Sequence, residues 1–159
     1  MHKDIPLWKL FFSIGLCLLV GFSSKAYMDQ SLNTWYTTLV QPELNLPDII
    51  FPIVWTILYI MMGISLYLFW GTKKKRDTTT ALLLFFTQLF LNFLWPIAFF
   101  YLHSPILALF ILAFLIVFVG LTIHYFFRTN RLSSYLLIPY LLWILFAFYL
   151  NYEIYLLNS

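Results

Sequence analysis

Long apolar stretches separated by short polar links dominate the chain. The pattern predicts helices over residues 5–27, 49–71, 80–102, 105–127 and 132–157. Each stretch has roughly the 20 residues that an α-helix needs to cross the hydrocarbon core of a bilayer. Strands of a membrane β-barrel would alternate in polarity over about 10 residues, whereas these stretches are apolar on every side. The pattern therefore predicts an all-α integral membrane protein, with residues 1–159 forming one bundle of five transmembrane helices.

The one long connection in this pattern, residues 28–48, joins the first two predicted helices. Pro42 and Pro47 exclude a long regular helix here, although residues 31–40 can form a short one. Structureless connections of about 20 residues are uncommon in compact proteins and are often functional. The neighbouring Trp35 and Tyr36 suggest that this loop folds onto an apolar surface as a lid. The alternative is an aromatic belt at the membrane interface, which needs no ligand.

Composition supports the membrane assignment and narrows the chemistry. Hydrophobic residues make up 63% of the chain and charged residues 9%, whereas about 25% of the residues of a soluble domain are charged. The net charge of +3 comes from basic residues between apolar segments, which argues against nucleic-acid binding. Cys17 is the single cysteine, so we expect neither an intramolecular disulfide nor a cysteine metal site. No phosphate-binding loop, Cys/His metal spacing or catalytic triad is visible.

Basic residues are distributed unevenly between the two sides of the predicted membrane. Eight lie at the N-terminus, in the 72–79 link or in the 128–131 link, and only Lys25 lies on the other side. The positive-inside rule then places the N-terminus in the cytoplasm, and we expect a bacterial plasma membrane. The first apolar stretch also fits a secretory signal peptide. We favour a retained helix, because Lys9 and Lys25 can reach the two interfaces.

The third predicted helix carries the most informative polar residues. Gln88, Asn92 and Trp95 share one helical face within a stretch that has no charge. Side-chain amides are costly in lipid unless they find partners. We therefore expect this face to look into the bundle or into a cavity. The alternative is that the amides only hydrogen-bond a neighbouring helix.

Two further helices present aromatic faces. Trp55 and Tyr59 recur at helical spacing on the second helix, and Tyr140, Trp143 and Ala147 do so on the fifth. Pro96 and Pro139 are expected to bend the third and fifth helices. Aromatic and amide faces under a loop with a Trp-Tyr pair suit a large, flat and mostly apolar ligand.

At this point the chain resembles a known family, the translocator proteins, also called tryptophan-rich sensory proteins (TspO/MBR) or peripheral benzodiazepine receptors. The resemblance covers nearly all of the chain from Trp35 onward. It rests on motifs that follow one another at family spacing: Trp35-Tyr36 with Leu39 and Pro42, the run from Phe51 to Met62, the run from Gln88 to Trp95, Phe99-Phe100, Pro139 to Trp143, Phe146-Ala147, Leu150-Asn151 and Leu157-Asn158.

The resemblance implies a five-helix fold, a homodimer, and a ligand pocket beneath the first loop. It implies binding of porphyrins such as protoporphyrin IX or heme, or of other apolar small molecules, with no cofactor required and no nucleic-acid partner. Carried over by position, the implied ligand-binding residues are Trp35, Tyr36, Trp55, Tyr59, Gln88, Asn92, Trp95, Trp143, Phe146 and Ala147. Two alternatives stay open: light- or oxygen-dependent degradation of the bound porphyrin, and a structural or partner-binding membrane protein.

The chain departs from the family pattern in its first loop and at its end. Leu44 stands where the family usually has a second loop tryptophan, and Leu46 stands where it has the first of two prolines. A looser lid or an altered ligand preference is the expected consequence. No Lys or Arg follows Arg131, so the cholesterol-recognition pattern of the animal proteins is absent.

Overall fold

The computed structural model describes residues 6–44, 46–72 and 77–159, and within these ranges all regular secondary structure is helical. Its helices are α1 (Leu7–Leu32), α2 (Ile50–Trp70), α3 (Thr78–Pro96), α4 (Pro105–Thr129), α5 (Arg131–Tyr135) and α6 (Ile138–Leu157). Five segments are long and apolar enough to cross a membrane, the fifth made of α5 and α6 together. Large apolar side chains cover the outside, among them Phe11, Phe90 and Phe110. The predicted fold, an all-α membrane bundle of five spans, is confirmed.

Close packing of neighbouring helices builds the bundle. Helix α1 lies along α2, α3 lies along α4, and α4 also packs against α6. Glycines permit the first of these contacts, because a Cβ on Gly63 would meet the backbone of Ile14 and one on Gly21 would meet the ring of Tyr59. Small residues at such crossings let membrane helices approach closely, where dispersion contacts and hydrogen bonds replace the hydrophobic effect as the source of stability.

Both prolines that were expected to bend helices coincide with irregular backbone. Pro96 ends the α-helical part of the third span, and a π-helical turn, Ile97–Tyr101, follows it. The Leu102 N–H donates to the Ile97 carbonyl at 2.9 Å, five residues back. Pro139 lies in the first turn of α6, just after the interruption between α5 and α6. A proline costs little there because the first N–H groups of a helix have no partner within the helix.

The first loop is shorter than the sequence suggests. Helix α1 continues to Leu32 rather than ending near residue 27, because Met28 and Leu32 belong to an apolar cluster around Phe99 and Phe100 of the π-helical turn after α3. The short helix expected within residues 31–40 is a single 3₁₀ turn, Tyr36–Thr38. The basic residues 73–76, on which half of the charge bias rests, lie outside the described residues.

A candidate ligand-binding site between α2, α3 and α6

The two amides of α3 point into the bundle and are buried there. Tyr59 of α2 donates its hydroxyl hydrogen to Asn92 Oδ1 at 2.5 Å. Asn92 Nδ2 donates to Tyr140 Oη of α6 at 2.9 Å, and Tyr140 Oη donates to Gln88 Oε1 at 2.9 Å. A continuous chain of hydrogen bonds therefore ties α3 to both partner helices. The amides hold the helices together, as the packing alternative requires, and they also form the inner wall of the aromatic region.

One donor in this network has a poor partner. Gln88 Nε2 contacts Met62 Sδ at 4.0 Å, and a thioether sulfur is a weak acceptor. The other polar atoms of the network are paired within the bundle. Any ligand that displaced Asn92 or Tyr140 would leave buried polar groups unpaired, at a cost of about 1–3 kcal/mol for each group. We therefore expect a ligand to bind against this network without displacing it.

Aromatic rings from the three helices meet above this network. The Trp55 ring centroid lies 5.7 Å from that of Tyr59, 5.8 Å from Trp95 and 6.3 Å from Tyr140. Trp95 Nε1 donates to Asn151 Oδ1 at 3.2 Å, so its indole is held in one orientation. Separations of 4.5–7 Å are those at which aromatic pairs attract one another.

An apolar groove runs between α2 and α6 beside the aromatic cluster. Its volume is about 390 Å³, and its wall consists of seven residues: Val54, Ile57, Leu58, Met61, Pro139, Leu142 and Trp143. Ile57 and Leu142 are exposed, so the groove opens at the outer surface of the bundle, on the side that faces lipid. The buried Trp143 Nε1 has no hydrogen-bond partner among the described residues.

The first loop covers the end of α3. Trp35 stacks on His103 at 4.5 Å and meets the ring of Phe99 edge-on at 5.6 Å, while Tyr36 lies 5.6 Å from Phe100. Ser31 donates to the Phe100 carbonyl and lies 3.1 Å from His103 Nε2. The Trp-Tyr pair thus packs onto an apolar surface, as the sequence suggested.

Electrostatics at the site are almost neutral. The ten residues that the sequence singled out carry no formal charge. Within the described ranges no cluster of His, Cys, Asp or Glu is arranged to hold a metal ion. Burial, with a smaller effect from the Asp48 carboxylate, raises the pKa of the Tyr36 phenol above its usual value of 10.0. The site suits an apolar ligand whose charged groups stay at its edge.

Comparison with known proteins identifies the family of this chain. Residues 13–157 match the family model described as the TspO/MBR family. The chain belongs to the TspO/MBR family. Among its TspO/MBR relatives, the tryptophan-rich protein TspO of Chlorobaculum tepidum is 45% identical over 159 residues, which is 99% of each chain. The protein of the same name from Archaeoglobus fulgidus is 43% identical, over 95% of this chain and 97% of its own. The translocator protein of Bos taurus is 30% identical, over 89% and 86% respectively.

In the structure of this TspO/MBR protein, the predicted residues lie in one central group and in the regions around it. Trp55, Tyr59, Gln88, Asn92 and Trp95 come together in the network and the aromatic cluster. Around this group, Trp143 lines the groove with the ring of Phe146 5.4 Å away, and Ala147 is buried on α6. Trp35 and Tyr36 pack at the outer end of the third span. Trp95 packs both against the apolar residues there and against the core of the bundle.

Two residues in these groups were absent from the predicted site. Tyr140 is fully buried at the centre of the network, and Asn151 orients the Trp95 indole. Tyr140 lies on the aromatic face predicted for the fifth helix, and Asn151 follows Ala147 by one helical turn. The signal that could have added them is the demand of the buried amides and indoles for hydrogen-bond partners, which a lipid-facing surface cannot meet.

Proposed function

We propose that this protein is a membrane receptor, sensor or carrier that binds porphyrins, such as protoporphyrin IX or heme, and other large flat apolar molecules between α2, α3 and α6. Membership in the TspO/MBR family supports the broader role of a membrane sensor or receptor. One relative, from Cereibacter sphaeroides, is named a tryptophan-rich sensory protein. The observation that carries the proposal is the apolar groove between α2 and α6, with Trp143 in its wall and the Trp55 cluster behind it.

The chemistry of the groove favours a flat apolar ligand. A groove of about 390 Å³ is within the range of roughly 300–1,000 Å³ that is common for small-molecule sites. Six of its seven wall residues are aliphatic or Met, and Trp143 adds an aromatic surface on which a conjugated ring can stack. Trp143 Nε1 is buried and unpaired, and a ligand acceptor that reached it would satisfy this donor.

The network behind the groove determines where a ligand goes. Asn92 and Tyr140 are already paired, so a ligand that displaced them would pay the cost of their lost hydrogen bonds. A ligand that lies along the groove and continues beneath the loop avoids this cost. The carboxylates of a porphyrin find no basic partner among the ten site residues, so we expect them at the loop end of the site, in contact with water.

A titration with protoporphyrin IX, followed by tryptophan fluorescence in the dark, tests the proposal. We expect saturable quenching in the purified wild-type protein. Ile57→Phe narrows the groove and should weaken binding at least several-fold. Ile53→Phe is its matched control, because Ile53 is about equally exposed on α2 (53% against 51% for Ile57) but does not line the groove. Trp143→Phe keeps an aromatic ring but removes the free N–H, and it should also weaken binding.

Two results would count against this assignment. Equal binding by the Ile57→Phe and Ile53→Phe variants would exclude the groove as the site. A melting temperature that does not change at any protoporphyrin concentration would favour a purely structural role, because a ligand of the folded state must stabilise it by mass action.

A second candidate is the light- or oxygen-dependent breakdown of a bound porphyrin. The observation in its favour is the pair of indole rings of Trp55 and Trp95, 5.8 Å apart, which are oxidisable groups next to the proposed ligand. Apart from the phenols of Tyr36 and Tyr59, the ten site residues carry no titratable group, so hydrolytic chemistry is not favoured. A new absorbing product that forms only under light in air, and not in Trp55→Phe, would support this activity.

The cellular setting completes the proposal. This is a multi-pass integral membrane protein. We place it in a bacterial plasma membrane with its N-terminus in the cytoplasm, from the distribution of Lys and Arg, and we expect it to form a homodimer. Protease accessibility of tags at either end, in right-side-out vesicles, tests the orientation.

A further inference from the structure

The side chain of Asn158, just after α6, hydrogen-bonds the second half of the first loop. Val40 N–H donates to Asn158 Oδ1 at 2.9 Å, and Asn158 Nδ2 donates to the Val40 carbonyl at 3.1 Å. The amide of Asn158 therefore pairs with both backbone groups of one loop residue, much as a neighbouring strand would. Asn158 Nδ2 also donates to the Ile154 carbonyl at 2.8 Å, which fixes the side chain on its own helix.

We infer that Asn158 is a positioning residue that clasps the first loop over the proposed ligand site and sets how often the loop opens. This inference rests on the proposed function for its ligand-binding role. The clasp itself, the paired hydrogen bonds between Asn158 and Val40, does not depend on that function.

The loop takes the place of α2 along the outer half of the site. Phe51, in the first turn of α2, lies 5.8 Å from Trp143, so α2 begins level with the first turns of α6. From Trp143 to Leu157, α6 continues for about 21 Å at 1.5 Å per residue. The loop spans this distance, since Val40 lies at the far end of α6 and Ile50 begins α2. Leu39, next to Val40, packs in the same apolar cluster as Trp95 and Phe99, so opening of this end of the loop would uncover the outer part of the aromatic region.

The two halves of the loop are held differently. The first half is fixed by the stacking of Trp35 on His103 and by the packing of Tyr36 on Phe100. In the second half, Val40 and Leu44 are exposed, although Pro42 between them is buried. Among the described residues 39–44 and 46–49, the side-chain hydrogen bonds that reach beyond the loop are the two from Asn158, whereas Gln41 Nε2 donates to the Tyr36 carbonyl at 3.2 Å within the loop. The stretch around Val40 is therefore the part of the loop that we expect to open when the clasp breaks.

The two hydrogen bonds of the clasp are weak enough to break and re-form often. Both partners are exposed, so water can replace the two bonds when they break. Loss of two such bonds shifts an opening equilibrium by roughly tenfold, given the modest net value of each exposed bond. Local openings of this kind are frequent in segments with few buried contacts. The loop is thus held closed for most of the time without being locked.

Hydrogen exchange of the full-length protein in detergent tests the clasp without any ligand. Asn158→Ala should speed exchange of the Val40 amide, whose N–H the clasp protects, by roughly tenfold, the value expected for loss of both bonds. Asn158→Asp keeps an acceptor for the Val40 N–H but loses the donor to its carbonyl, and it should lie between Ala and wild type. Ser159→Ala is the control, because Ser159 Oγ bonds only to the neighbouring Leu156 carbonyl.

Two exchange results would overturn the clasp. The first is equal exchange of the loop in Asn158→Ala and Ser159→Ala. The second is faster exchange confined to the end of α6, since Asn158 also bonds to Ile154 and its loss could merely fray that helix.

Ligand kinetics test the gating role. In stopped-flow mixing with protoporphyrin IX, Asn158→Ala should raise the dissociation rate by about the same factor as it raises loop exchange, with an unchanged melting temperature of the free protein. Faster loop exchange with an unchanged dissociation rate would overturn the gate. If the wild-type protein binds no protoporphyrin IX, the proposed function fails, and the exchange experiment still decides whether the clasp exists.

Discussion

The hydroxyl of Tyr140 offers the sharpest test of how the bundle is held together. It donates to Gln88 Oε1 and accepts from Asn92 Nδ2, both at 2.9 Å, and the whole side chain is buried. Tyr140→Phe removes one oxygen atom and leaves the ring in place against Trp55. The expected result is a less stable bundle, because the two amides of α3 lose their shared partner.

The expected loss in the free energy of unfolding depends on the state with which the folded bundle is compared. In a rigid, dry core, one unpaired acceptor and one unpaired donor would cost about 1–3 kcal/mol each. Interhelical hydrogen bonds in membrane proteins average about 0.6 kcal/mol and reach about 1.7 kcal/mol, because the unfolded chain in the membrane also finds partners. The lower values apply here, because the unfolded chain stays in detergent or lipid. Two bonds of this kind predict a loss of about 1–3 kcal/mol for Tyr140→Phe.

The assay is reversible unfolding of the purified protein in mixed micelles, with helicity as the signal. Tyr149→Phe is the matched control, since it makes the same chemical change on the same helix at a residue that is 41% exposed. We expect Tyr149→Phe to change the free energy of unfolding by less than about 0.5 kcal/mol, as is usual for surface substitutions. Equal effects of the two variants would show that the network does not stabilise the bundle.

Two further predictions concern the packing of α1 on α2 and the loop. Gly63→Ala should destabilise the bundle by about 1–3 kcal/mol, as overpacking does, because its Cβ would meet the backbone of Ile14. A Cβ at Gly120 would meet no atom within 4 Å, so Gly120→Ala should be neutral or stabilise by up to about 1 kcal/mol through helix propensity. Similar losses of stability in the two variants would contradict the close approach of α1 and α2 at Gly63. For Tyr36, a raised folded-state pKa means that the phenol stabilises the packed loop below pH 10, and this stability is lost as the pH rises through the folded-state pKa. Loop exchange, corrected for its intrinsic pH dependence, should therefore increase in alkali in wild type but not in Tyr36→Phe, and the same alkaline increase in both would disprove the assignment.

Much of the architecture can be read from local properties of the chain. The length and hydropathy of the five apolar stretches predict five spans, because a bilayer requires about 20 apolar residues of each helix. Helical spacing places Gln88, Asn92 and Trp95 on one face, and the structure turns Gln88 and Asn92 of that face into the bundle. The irregular backbone after Pro96 follows from the missing N–H of proline. The extension of α1 to Leu32 could not be predicted this way, since tertiary contacts of Met28 and Leu32 support that last part of the helix.

The class of protein, the number of spans, the inward-facing polar face and the family could therefore all be predicted from the residues alone. Which groups meet became clear from the packed helices: Tyr140 lies between the two amides of α3, the groove lies beside Trp143, and Val40 pairs with Asn158, 118 residues away. The physical reason is one of range. Hydropathy and helical period depend on neighbours in the chain, whereas hydrogen-bond partners and cavities depend on how helices distant in sequence pack against one another.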